Sequence, residues 1–220
     1  LLPDSEQLVL DLGKLKGDLR LCTYNGNTWN LAASVHEWMR KKGLEPHIML
    51  VQETRFSSPT AEEQAHGWAN QCGQQPACSG VFRTGEAATA VSSGVGIISS
   101  GLLGSARHFR SWPGAQHRVI TRRLSIGAGT TFTLIPIYLE EGVGLKGANR
   151  QLLEDFHEWC AYLDEPFIMG GDWNVDASEM TTSGWPELIG GAVELVVGQA
   201  GEAVPAGAGG GAGAAGAAGR

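Results

Sequence analysis

The chain has no run of about 18 uninterrupted apolar residues, so no segment is suited to cross a bilayer as a helix. It has no secretory signal either. The opening LLPDSEQLVLDLGKLKGDLR lacks a basic start, a long apolar stretch and a small-residue cleavage site. These two absences predict an intracellular protein, nuclear or cytoplasmic, that is not secreted and meets no membrane. An initiating Met is also lacking. Leu1 stands first, which reads as a missing native start or an internal piece of a longer protein. No two of the four cysteines form a Cys-x-x-Cys pair. Cys22 and Cys160 sit in apolar segments and read as free buried thiols, in keeping with a reducing compartment. Cys72 and Cys78 leave a pair or a metal site open. Positive charge is scarce: 16 Lys and Arg stand against 23 Asp and Glu, a net −7 over 220 residues. That balance excludes a generally basic nucleic-acid binder. No internal repeat recurs at a fixed period.

What is present is enough for a core. Hydrophobic residues make up 42% and charged residues only 18%, which excludes a wholly disordered protein. The last 23 residues differ from the rest, because Gly and Ala fill 18 of the positions 198–220. Such a segment buries too little to offset the entropy of ordering it and is expected to be a disordered tail. Residues 19–197 are therefore read as one domain.

Within that domain, LRLCTYN (19–25) alternates apolar and polar residues and predicts a strand. Leu31, Val35, Trp38 and Met39 share one face of a helix over 28–42, which Gly43 ends. HIMLVQ (47–52) reads as a buried strand. Thr60 with Glu63 forms a capping box for a short helix. Strand-like runs follow at 79–84, 94–99, 117–126 and 131–139. A helix fits 145–163, Pro166–Gly170 reads as another buried strand, and AVELVV (192–197) as a last one. Helices mixed with consecutive strands predict an α/β fold with mixed sheets, two of them packed face to face with helices outside.

Polar residues collect just past the buried strands. Asn25 and Asn27 follow LRLCTY, Glu53 follows HIMLVQ, Tyr138 ends TFTLIPI, and Asp172 and Asn174 follow PFIMGG. Strand ends in α/β proteins are where functional groups gather. Two carboxylates, amides and a phenol at one rim would suit a hard cation such as Mg²⁺ or Mn²⁺ better than Zn²⁺. Each residue also has a plain structural reading. Glu53 could be a solvated cap, Asp172 a helix N-cap, Asn25-Gly26 a turn, and Tyr138 a core ring with its hydroxyl at the edge. A further cluster, Arg107, Arg110, Arg118, Arg122 and Arg123, lies in a stretch without any acid. It is either a local stripe able to meet a phosphate backbone or simply the solvent side of alternating strands.

Taken in order, LCTYNGNTW (21–29), LVQETR (50–55), SGVGIIS (93–99), RVIT (118–121), Ile137-Tyr138 and GGDWNV (170–175) resemble the endonuclease/exonuclease/phosphatase superfamily. Its members include DNases, apurinic endonucleases, the endonucleases of LINE-type retrotransposons and inositol-phosphate phosphatases. Gln-Glu-Thr and Gly-Asp-Trp-Asn are the specific signals. The resemblance implies a four-layer α/β/β/α sandwich, here missing its last strands. It implies that Glu53 binds the catalytic Mg²⁺ or Mn²⁺ and that Asn25 supports both the metal and the catalytic Asp172. Asn27 stands near a position that is often acidic and close to the metal. Asp172 would orient or deprotonate the attacking water, Asn174 would contact the scissile phosphate, and Tyr138 would help to hold it.

Two departures accompany the match. The family's late Ser-Asp-His segment has no counterpart, since no histidine follows His157, and Tyr138 is followed by Leu-Glu-Glu. The reading is thus a divalent-metal-dependent phosphodiester hydrolase of nuclease type, with nucleic acid as partner, DNA ahead of RNA. It needs no small-molecule cofactor beyond the metal, a retroelement origin is open to it, and it is expected to be nearly or fully inactive as it stands. A non-catalytic remnant or binding module, or a phosphatase of the same superfamily, is the alternative.

Overall fold

The computed structural model describes residues 19–26, 28–79, 94–111, 117–126, 130–163 and 165–190, with backbone alone over 105–111. The elements in chain order are β1 (Leu21–Asn25), α1 (Trp29–Lys41), β2 (Ile48–Gln52), α2 (Pro59–Gln71), β3 (Gln74–Cys78), β4 (Val95–Ser100) and β5 (Gly104–Ser111). Then come β6 (Ile120–Ser125), β7 (Thr131–Tyr138), α3 (Gly147–Cys160), β8 (Phe167–Asp172), α4 (Ala177–Thr182) and α5 (Trp185–Leu188).

The strands form two four-stranded sheets, ordered β1-β2-β4-β3 and β5-β6-β7-β8. Each sheet holds one parallel pair, β1 with β2 and β7 with β8, and is otherwise antiparallel. The strand β2 shows why its sequence is a continuous apolar run. Ile48 and Leu50 enter the cluster between the sheets, with Val95, Ile97, Leu124 and Leu134. Met49 and Val51 face the other way and pack with Trp29, Ala32 and Ala65 of α1 and α2. A strand buried on both faces loses the polar alternation of a half-exposed one. The strand β7 repeats the arrangement: Phe132 and Leu134 point between the sheets, while Ile135 and Ile137 meet Leu152, Leu153 and Phe156 of α3. The layers are therefore α1 and α2, first sheet, second sheet, then α3 with α4 and α5. This is the α/β/β/α sandwich expected from the sequence.

Several local expectations change. The helix α2 is capped by Ser58, whose hydroxyl accepts from the Ala61 amide at 3.2 Å, and Thr60 lies inside the helix. Ser58-Pro59 wins because Pro needs no amide partner at the first helical position. The strand placed at 79–84 lies mostly outside the described residues, and pairing falls instead on Gln74–Cys78. The β5 strand was not anticipated, nor were the short helices α4 and α5. Cys72 and Cys78 are both free thiols. Asn27, the strand 192–197 and the tail 198–220 lie outside the described residues. Among the described residues no helix is long and apolar enough to cross a membrane.

Candidate active site

The two parallel pairs bring their carboxyl ends to one rim, although they belong to different sheets. Asn25 ends β1 opposite Gln52 of β2, and Tyr138 of β7 stands opposite Asp172 of β8. The side chains confirm the meeting. The Asn25 Nδ2 group donates to Glu53 Oε1 at 3.1 Å and to Asp172 Oδ2 at 2.6 Å, the second bond spanning 147 residues of sequence. One amide thus joins two carboxylates. Glu53 is 8% exposed, so its charge requires partners. Its other oxygen, Oε2, is ion-paired with Arg55 Nη2.

The backbone is unusual at the same place. Glu53 (φ 56°), Arg55 (φ 46°) and Asn174 (φ 45°) are the non-glycine residues with positive φ among those described. Asn tolerates that region, but Glu and Arg adopt it at a cost. Three hydrogen bonds hold the turn: Gly26 N to Gln52 O at 3.2 Å, Trp29 N to Thr54 O at 3.1 Å, and Thr54 N to Gly94 O at 3.1 Å. Gly94 (φ +99°) has to be glycine, because a Cβ there would fall 2.2 Å from Thr54 Oγ1. Gly171 has a similar constraint: a Cβ would fall 1.8 Å from the Ile137 carbonyl oxygen. The Gly before Asp172 therefore lets β8 approach β7 closely enough to deliver the carboxylate.

Asn174 folds back on this group. Its backbone N–H donates to Asp172 Oδ1 at 3.3 Å and its Nδ2 to the Leu139 carbonyl at 2.7 Å. Leu139 N in turn donates to Asp172 O at 2.9 Å. The Asp172–Asn174 turn is thus tied to the end of β7. Tyr138 is buried within the cluster between the sheets. Its backbone N–H donates to Arg118 O at 2.9 Å.

Two of the five arginines, Arg118 and Arg122, are placed differently from the reading that turned the stripe toward solvent or a phosphate backbone. Arg118 is 4% exposed. Its guanidinium donates to Asn149 Oδ1 at 2.9 Å and to Ala148 O at 3.1 Å, and lies 3.5 Å from Glu140. Arg122 is buried as well, donating to Gln75 O at 2.8 Å and Gln75 Oε1 at 2.9 Å, which ties β6 to β3 of the opposite sheet. Burial pushes both guanidinium groups down from their ordinary pKa. Arg123 pairs with Glu165 at 2.6 Å. Arg118 and Arg122 are occupied by internal partners, because a buried cation must be hydrogen-bonded wherever the fold places it, whereas Arg123 is half-exposed. The side chains of Arg107 and Arg110 lie outside the described residues, although β5 carries both positions.

The sequence reading missed the role of Arg55 beside Glu53. The signal was present, since Arg55 follows Gln-Glu-Thr directly in LVQETR.

Among the described residues no three His, Cys, Asp or Glu side chains gather into a ready cage for an ion. Among the described residues, the donors at the rim include two carboxylates and the amide oxygen of Asn25, hard oxygen ligands. That set fits Mg²⁺, which takes one or two protein carboxylates and keeps waters or substrate oxygens for the rest.

The sequence model of the endonuclease/exonuclease/phosphatase family matches residues 27–218. No curated protein matches the chain in sequence. Among solved structures, an AP endonuclease from Archaeoglobus fulgidus is similar, with 21% identity and a TM-score of 0.52 over 72% of this chain and 58% of that one. The human Nocturnin catalytic domain with bound sulfate is similar at 15% identity and a TM-score of 0.52, over 76% of this chain and 67% of that one. At such identities the likeness is one of fold, and this chain spans 58% of the archaeal enzyme's length. The family match over residues 27–218, on a four-layer sandwich with Glu53 and Asp172 joined at its rim, establishes that the chain belongs to the endonuclease/exonuclease/phosphatase family.

Proposed function

We propose that this chain carries a divalent-metal-dependent phosphodiester hydrolase domain of nuclease type, with DNA as substrate and Mg²⁺ as the ion, Mn²⁺ substituting. The observation that carries the reading is the Asn25 amide shared between Glu53 and Asp172. Two carboxylates from different sheets are held within reach of one donor, on a backbone that is strained at Glu53 and Arg55. Such strain persists where the surroundings impose it, and it concentrates at functional sites.

Glu53, with the Asn25 amide oxygen, would hold the ion. When bound, the ion would neutralise charge developing on the phosphate oxygens. Asp172, fixed by Asn25 and by the Asn174 amide, would orient an attacking water and accept its proton. Asn174 uses one Nδ2 hydrogen on Leu139. Its other amide hydrogen would serve as a donor to the scissile phosphate, with Tyr138 at the edge. That one similar structure is an AP endonuclease supports nucleic acid as the substrate class.

Supercoiled plasmid with Mg²⁺ tests the proposal. Nicking that disappears with a chelator and in Glu53→Gln and Asp172→Asn supports it. Nicking that survives both substitutions refutes it. One observation favours a second reading, a non-catalytic member that retains ion and nucleic-acid binding: residues 158–220 contain no histidine. Under that reading the plasmid stays intact, and an extended version ending in a family-like Asp-His cleaves it.

A further inference from the structure

We propose that Arg55 is a tethered counter-cation for Glu53, which a divalent ion displaces, so that ion binding releases the guanidinium for a substrate phosphate. The inference rests on the proposed ion site at Glu53.

Glu53 is nearly buried and needs a compensating charge. Arg55 supplies it through Nη2 on Oε2, while Oε1 takes the Asn25 amide. The pairing is built into the turn. Both residues sit in the left-handed region, and Thr54 between them is held from both sides by Trp29 N and Gly94 O. A chance surface pair would not require two strained backbones. The two side chains are also unequally covered: that of Arg55 is 33% exposed and that of Glu53 10%. The carboxylate is therefore the fixed member and the guanidinium the one able to leave. Room exists for it to turn, since Arg55 borders a cavity of about 330 Å³ with Asn30, Phe56, Gln64 and Trp68.

Charge decides the exchange. Glu53 and Asp172 together carry two negative charges, and Arg55 offsets one of them. A doubly charged ion on Glu53 would face the guanidinium at short range, where like charges repel strongly in a partly buried site. The ion prevails because its two charges face both Glu53 and Asp172, which the Asn25 amide holds close together, whereas the guanidinium brings one charge. The displaced guanidinium remains two residues from the metal carboxylate, beside the place where a phosphodiester must sit. Its planar fork suits phosphate oxygens. Ion and phosphate binding are then coupled through one side chain.

The test uses Mn²⁺ calorimetry and a phosphorothioate-linked oligothymidylate on the whole chain. Arg55→Gln should tighten Mn²⁺ binding by about 5–50-fold, because a like charge has been removed. Arg55→Lys should stay within about threefold of the parent, since the charge is kept. Without metal, Arg55→Gln should melt at a lower temperature than the parent, and saturating Mn²⁺ should close that gap. The oligonucleotide should bind the parent and Arg55→Gln alike in the absence of Mn²⁺. With Mn²⁺ it should bind Arg55→Gln about 5–10-fold more weakly. Unchanged or weaker Mn²⁺ binding by Arg55→Gln overturns the proposal, as does an equal loss of oligonucleotide affinity with and without Mn²⁺. If Mn²⁺ binds and couples as stated but plasmid stays intact, only the nuclease reading falls. If the parent binds no Mn²⁺, both fall.

Discussion

Two carboxylates in this domain have an arginine partner and little exposure, and they lie at opposite ends of the second sheet's parallel pair. Glu165 precedes β8. It is ion-paired with Arg123 at 2.6 Å, accepts from the Thr131 hydroxyl at 3.1 Å, and accepts a further bond from the Thr133 hydroxyl. Glu53 stands at the rim where β7 and β8 end. Its partners include Arg55 and an amide that it shares with Asp172. Glu165 has an ordinary backbone and dedicated donors, whereas Glu53 has a strained one and a competitor. The same pair of residue types thus closes a structure at one end and leaves a charge imbalance at the other. Glu165 has three donors of its own, whereas Glu53 shares its amide donor with a second carboxylate, and two carboxylates drawn to one donor together attract a cation.

Neutralising each carboxylate in turn is the strongest way to break this contrast. In a version extended with a family-like Asp-His end, Glu53→Gln should reduce Mg²⁺-dependent cleavage by at least about 10²-fold, with a small change in stability. Glu165→Gln should do the reverse, lowering stability by about 1–3 kcal/mol through the lost charge and broken hydroxyl bonds, with cleavage kept. Plasmid nicking and urea unfolding on both variants decide the matter. A Glu165 variant that loses activity at full stability would show that the two ends do not differ in kind.

Next in size is the group behind the rim. Asn149 is wholly buried and accepts from Arg118 Nη1 and the Glu140 N–H while donating to the Glu140 and Gly144 carbonyls. It fastens the loop after Tyr138 to α3 and satisfies an arginine that cannot reach water. Asn149→Ala should cost about 2–4 kcal/mol, because it takes one partner from a buried guanidinium and leaves three backbone groups, Glu140 N–H, Glu140 C=O and Gly144 C=O, without theirs. Denaturant unfolding measures this. A loss below about 1 kcal/mol would mean that the loop and Arg118 find other partners.

How far the fold could be read beforehand follows the same physics. The strands β2 and β7 were legible because burial on both faces leaves an uninterrupted apolar run. The meeting of Asn25, Glu53 and Asp172 was legible from an order shared with a known family; Glu53 and Asp172 follow apolar runs, whereas Asn25 ends the alternating LCTYN. The strand β3 was not, since Gln-Gln-Pro-Ala-Cys has no alternation, and a proline is tolerated there only because β3 is an edge strand. The α2 start offered two overlapping caps, and local sequence alone does not rank Ser58-Pro59 above Thr60-Glu63. Arg118 and Arg122 misled because their partners, Asn149 and Gln75, are 31 and 47 residues away. Charge runs indicate faces only when nothing distant claims the charges.

A smaller effect is expected at Gly171. A Cβ there would overlap the Ile137 carbonyl oxygen, so Ala forces β7 and β8 apart beside Asp172. Overpacking of this kind costs about 1–3 kcal/mol. Cleavage should fall further than the stability loss explains, because Asp172 moves with the strand. Gly43→Ala provides the control: it meets nothing within 4 Å, although its φ of +71° carries its own strain. A Gly171→Ala domain with parental activity would show that the Asp172 position does not depend on the close β7–β8 contact.

The smallest effect belongs to pH and lies away from the rim, in the helical layer over the first sheet. His36 of α1 is 1% exposed and lies edge-on to Trp68 of α2, the rings 5.9 Å apart at 90°. Neither ring nitrogen has a hydrogen-bond partner. Burial holds its pKa below the ordinary value of 6.5, with Arg40 pushing the same way and Glu45 and Glu37 opposing. The unfolded chain therefore binds this proton more readily than the folded one. Stability is full above the unfolded pKa and declines as pH falls through 6.5 toward the lower folded value. His47 and His117 are also held low by burial and add slopes of the same sign. His36→Phe keeps an aromatic ring against Trp68 and removes the titration. Urea midpoints measured from pH 7.5 to pH 5 should fall less steeply for this variant than for the parent, by the His36 share alone. Equal slopes would mean that protonated His36 finds a partner by moving, with Glu45 and Glu37 the acids whose charge acts on it.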